Sequence, residues 1–95
     1  MRRIPQAFHL MGHRITVKVV SKADWKHEDD AMGIWEPDRN QISLRRQPRS
    51  MLRHTFWHEV THAMLDVISH KLSSNEQFVD SLGGMLAQIN DTAEY

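Results

Sequence analysis

Ninety-five residues, 40% hydrophobic and 25% charged, are enough for one small globular domain, 1–95, and are not the composition of a disordered tail. The formal net charge is zero, which argues against a protein that works by bulk attraction to nucleic acid or to an anionic membrane. With no cysteine, disulfides and thiolate metal sites are excluded, and a reducing compartment is the natural fit. The basic start, Met1-Arg2-Arg3-Ile4-Pro5, lacks the apolar run of a signal peptide. Nothing approaches the roughly 18 apolar residues that span a bilayer, so the expected location is the cytosol.

The first half, residues 1–47, reads as β. Residues 8–11, a turn at Gly12-His13 and residues 15–20, apolar at 15, 17 and 19, predict a hairpin. Residues 21–30 are polar and predict a loop, with Glu28, Asp29 and Asp30 as a solvated acidic run. Residues 32–36, a turn at Pro37-Asp38-Arg39-Asn40 and the alternating residues 41–45 predict a second hairpin. Arg45, Arg46, Arg49 and Arg53 read as solvated faces of loop and helix.

The second half, residues 48–95, reads as two helices. Ser50 is the expected N-cap of the first, just after Pro48. Leu52, Phe56, Val60, Ala63 and Val67 recur at three- and four-residue steps, which predicts one buried stripe as far as about residue 68. A polar connection over 70–75 leads to a second helix from Glu76 to about Asn90. Its expected core stripe is Phe78, Val79, Leu82, Met85, Leu86 and Ile89. The fold class is therefore α+β, a small, mostly antiparallel sheet with two packed helices.

Seven histidines are many for this length, and two of them fall in His58-Glu59-Val60-Thr61-His62. A four-residue helical step turns through about 400°, so both imidazoles share one face, about 6 Å apart along the axis. That spacing lets both rings meet one ion, with the Glu59 carboxylate beside it to take a proton from an activated water. By helical angle His58 and His62 lie off the apolar stripe and Glu59 at its border, so the imidazoles face a cleft. A third ligand is needed. Asp66 and His54 are too far along the same helix, since the outer members of such triplets lie about 12 Å apart. His70, after the helix, is an outside candidate. The second helix offers Glu76, with Asp80 one turn on, and a stripe of Glu76, Asp80, Gly83 and Ala87 whose small members permit a close approach. Ser73-x-x-Glu76 is also a capping box, which would turn the Glu76 carboxylate back to a backbone N–H.

These two elements, His58-Glu59-x-x-His62 and Glu76-x-x-x-Asp80, resemble the gluzincin-type metallopeptidases. More closely, the chain resembles the small zincin-like metallopeptidases of phages and prophages. The likeness takes in Ile4-Pro5, Phe8, Gly12, residues 15–20, residues 55–64 and the Asn75-Glu76-x-Phe78-Val79-Asp80 block. It implies a minimal zincin-like fold, with an active-site helix and a second, C-terminal helix. It further implies one Zn²⁺ held by His58, His62 and Glu76, Glu59 as general base, and Asp80 orienting the imidazole of His58. The implied activity is hydrolysis of a protein or peptide substrate, in the cytoplasm of a bacterial host, with the strand 41–45 as an edge for an extended peptide. Two other readings stand beside it: a catalytically silent, zinc-binding accessory or regulatory protein of a phage, and a nucleic-acid module built on the arginines.

Overall fold

Residues 4–95 of the computed structural model are described here; Met1-Arg2-Arg3 of the basic start lies outside them. Strands β1 (Ala7–Leu10) and β2 (His13–Val20) form the first hairpin, with Phe8 opposite Ile15. Met11 and Gly12 make its turn, both at positive φ, where glycine is at ease. Strands β3 (Gly33–Glu36) and β4 (Gln41–Arg45) form the second, joined by a 3-10 turn at Pro37–Arg39 and a left-handed Asn40. Proline supplies the φ for such a turn and asparagine tolerates the left-handed exit.

The sheet order is β1-β2-β4-β3, and β2 and β4 run parallel, with Val17 beside Ile42. Both expected hairpins form, and two of the three pairings are antiparallel. The expected edge role of strand 41–45 is overturned, because β4 lies inside the sheet. Ile42 and Leu44 are fully buried and Ser43 nearly so, an environment that an edge does not provide. The free edges are β1 and β3.

Helix α1 (Arg49–Val67) lies on this sheet. Its Phe56, Val60 and Ala63 close a core with Ile15, Ile42 and Leu44, and Phe8 meets Phe56 edge-on. Leu52 and Val67, at the ends of the expected stripe, are only half-buried. Ser50 is not the N-cap. The cap position falls two residues earlier, at Pro48, the helix starts at Arg49, and no side chain caps it. Arg53 is not part of a solvated basic face either. It is buried and meets Asn90 Oδ1 and the Asp91 carboxylate at the end of α2. Arg45 donates to the Asp29 carbonyl, so the arginine cluster is divided.

A 3-10 turn at Lys71–Ser74 leads into α2 (Glu76–Thr92). Asn75 is its cap, its Oδ1 accepting from the Phe78 N–H at 2.9 Å, so the Ser73/Glu76 capping box does not form. The buried face of α2 is Val79, Gly83 and Ala87. The expected core stripe holds at Val79, which is fully buried, and in part at the half-buried Leu82 and Leu86, but is overturned at Phe78, Met85 and Ile89, which are 38%, 54% and 62% exposed. The cause is steric. A Cβ on Gly83 would stand 3.0 Å from both the His58 Cα and the Trp57 carbonyl oxygen of α1. At Gly83 the backbone of α2 rests directly on the backbone of α1 at Trp57 and His58, and Phe78, Met85 and Ile89 point away. No helix is long and apolar enough to cross a membrane.

Gly83→Ala should destabilise the fold by about 1–2 kcal/mol net, overpacking outweighing the better helix propensity. Gly84→Ala should stabilise by up to about 1 kcal/mol, because a Cβ there meets only the His54 ring, at 3.4 Å. Urea or thermal unfolding of the two variants separates them; equal stability would contradict a close crossing at Gly83.

Candidate metal centre

The middle of α1 carries His58, Glu59 and His62, and the first turn of α2 lays Glu76 across the two imidazoles. Glu76 Oε2 is 3.0 Å from His58 Nε2, and Glu76 Oε1 is 2.9 Å from His62 Nε2. The ring centroids of the two histidines are 5.0 Å apart. One ligand atom from each of the three residues lies within 4.8 Å of the others, the one such grouping among the described residues. Ligands about 2.0–2.1 Å from a tetrahedral ion are about 3.3 Å apart, so this triad needs little movement to accept one.

The outer nitrogens sharpen the case. His62 Nδ1 faces the Ser73 carbonyl at 2.6 Å, and His58 Nδ1 faces Asp80 Oδ1 at 3.2 Å. Both partners only accept hydrogen bonds, so each Nδ1 carries the proton. In a neutral imidazole the Nε2 is then a bare lone pair, and here both lone pairs point at a carboxylate. Only a positive charge between them, a metal ion or added protons, makes the grouping favourable. Metal-ligating histidines are held in this way, by a carbonyl or carboxylate on the far nitrogen.

Glu59 borders the same cleft as His58 and Glu76 but is largely buried, 7% exposed. Burial pushes its carboxyl up from 4.5 to about 7; Glu76 adds to the rise, while His62 and the Trp35 backbone N–H favour the charged form. A carboxyl balanced near neutrality suits proton transfer. Gly33 makes this packing fit, because a Cβ there would stand 2.7 Å from Thr55 Cγ2 and 3.1 Å from Glu59 Cγ.

Asp80 is shared between two rings, His54 Nε2 at 3.1 Å and His58 Nδ1 at 3.2 Å. Those two hydrogen bonds, His54 first, hold its carboxyl below the ordinary range. The five expected site residues are thus brought together. His54 joins them through Asp80, not as a ligand, and His70 does not join; its Nδ1 accepts from the Leu72 N–H. Sequence reasoning missed the Ser73 carbonyl and the Trp35 N–H, backbone groups that leave no residue-type signal.

A cleft of about 610 Å³ opens on His58, Glu59, Glu76 and Asp80. A wider groove of about 810 Å³ along β2 has aliphatic and scattered polar walls and no grouped ligands among the described residues. Comparison of the chain with protein-family models, with characterised proteins and with solved structures returned no match.

The raised Glu59 carboxyl has a consequence for the metal-free fold. The folded state holds that proton more tightly than the unfolded chain, so stability falls as pH rises from 4.5 to about 7 and stays reduced above. Glu59→Gln should therefore be more stable than the parent at pH 8, by on the order of 2–3 kcal/mol, and no different near pH 4. Thermal unfolding in chelator at the two pH values checks this; a variant less stable at pH 8 would contradict it.

Proposed function

We propose that this protein is a minimal zinc-dependent peptidase of the gluzincin type. The observation that carries the reading is the convergence of His58 Nε2, His62 Nε2 and the Glu76 carboxylate, each histidine fixed from behind by an acceptor. Two nitrogens and one carboxylate suit zinc, in the set that peptidases use with an open position. When bound, zinc supplies Lewis acidity towards a water and a peptide carbonyl.

The chain's own groups do the rest. Glu59, balanced near pH 7, takes a proton from the attacking water and passes it to the leaving amine. The Trp35 N–H steadies the Glu59 carboxylate in its charged form. Asp80 and the Ser73 carbonyl keep the Nδ1 protons in place, so both Nε2 lone pairs remain free for the ion. The free edge beside the site is β3, not β4, and Gly33 at its start lines the same cleft as His58 and Glu59. An extended peptide pairing with β3 would run past the triad. The phage-type resemblance and the absence of cysteine support a working place in bacterial cytoplasm.

A second reading, a zinc-bearing scaffold that acts by binding a partner, is favoured by one feature, the exposed Phe78, Met85 and Ile89 on the outer face of α2.

Metal analysis of the purified protein should find one zinc per chain, lost from His62→Ala and from Glu76→Ala. Asp80→Asn should weaken zinc binding about 10- to 100-fold. Glu59→Gln should keep its zinc and lose cleavage of an unfolded protein by at least about 100-fold. Full zinc affinity in Glu76→Ala would remove that residue from the site, and a biological effect untouched by Glu59→Gln would favour the scaffold.

A further inference from the structure

The cleft in front of the triad is walled on its far side by the loop between β2 and β3. Glu28 and Asp30 of this loop line it, together with Glu59, Glu76 and Asp80, and no lysine or arginine does. Glu76 and Asp80 are committed to histidines and Glu59 is buried. The Glu28 and Asp30 carboxylates are exposed and have no hydrogen-bond or ion-pair partner among the described residues. In a chain of zero net charge this is a local segregation of sign, not a general acidity.

The wall is also held in place. The Trp25 Nε1–H donates to the Glu28 carbonyl at 3.1 Å, and the Ala31 N–H donates to the same oxygen at 3.0 Å. Arg45 Nη1 donates to the Asp29 carbonyl at 2.6 Å, and Gln47 Nε2 to the Met32 carbonyl at 3.2 Å. Every one of these contacts is to backbone. Arg45 thus secures the loop through the Asp29 carbonyl and pairs with neither carboxylate. Two negative charges are carried on a pinned segment, across a cleft from the groups assigned to catalysis. Such an arrangement favours a cation over an anion before any contact forms, because low-dielectric walls focus the field.

We propose that the cleft selects peptides presenting a cationic group, and that Glu28 and Asp30 are its specificity residues. This rests on the peptidase reading above and names its substrate class. The cation is either a lysine or arginine side chain or the free α-ammonium of a peptide end, which share the same chemistry. Neither carboxylate touches the triad, so their replacement leaves zinc binding and the proton-transferring Glu59 intact.

The test uses zinc-loaded Glu59→Gln protein, which binds without cleaving. Fluorescence anisotropy gives Kd for matched peptides that carry Lys, Gln or Glu at one position, each with a free or an acetylated N-terminus. The expected order is Lys, then Gln, then Glu, with about tenfold between the ends at low salt, shrinking as salt is raised. A Lys-over-Gln preference assigns the side chain, and tighter binding of free than of acetylated peptides across the series assigns the terminus. Adding Glu28→Gln and Asp30→Asn should level the series, and Glu28→Lys with Asp30→Lys should invert it. Equal affinities throughout, no measurable binding of any peptide, or a Lys preference unchanged by the neutral pair would overturn the proposal. If zinc is taken up and the charge preference is missing, only this inference fails. If no zinc is taken up, the peptidase reading fails first.

Discussion

The centre depends on how closely two helix backbones approach. Gly83 rests against the Trp57 carbonyl and the His58 backbone, and Asp80 and Glu76 sit one and two turns before that contact on the same face. An aspartate is short. It reaches the Nδ1 of His58 only because the helix axes are drawn together, and Glu76 spans both Nε2 atoms for the same reason. A single methyl at the crossing would move both carboxylates outward. Geometry of this kind is easily lost, since metal and catalytic groups tolerate little displacement.

The same contact shapes the rest of α2. A helix that buries its glycine and alanine side cannot also bury its phenylalanine, methionine and isoleucine side against the same partner. The core is therefore made by α1 and the sheet, with α2 attached through Val79, Gly83, Ala87 and the Arg53–Asp91 pair. Removing the Asp91 carboxylate would take a charged partner from a buried guanidinium, so the pair acts as a tether at the far end of the helix.

Electrostatically the protein sets a cost beside a use. Glu59 is buried where its charge is disfavoured, and Glu76, His58 and His62 present acceptors to one another. In a chain with so thin a core these are unfavourable terms unless a cation joins them. Ligands that bind only the folded state stabilise it by mass action, so metal and fold would support each other. Local rules and the whole fold conflict most where function is expected to lie.

The amino-acid sequence by itself determined both hairpins, through turn residues and alternation, and both helices, through three- and four-residue periodicity. It also put His58 and His62 on one face, because a four-residue step on a helix does so whatever surrounds them, while the choice of Glu76 as their partner over a capping role needed the folded chain. The small residues at 83 and 87 pointed to a close approach. Local pattern carries no information about which strand neighbours which, so the parallel β2–β4 pairing, and with it the transfer of the free edge to β3, was decided by tertiary packing. The same holds for the outward apolar side of α2, because an amphipathic pattern marks two faces without saying which one a partner's backbone will press against. Backbone groups have no residue signature, and for that reason the Ser73 carbonyl, the Trp35 N–H and the pinned acidic wall could emerge only from the folded chain.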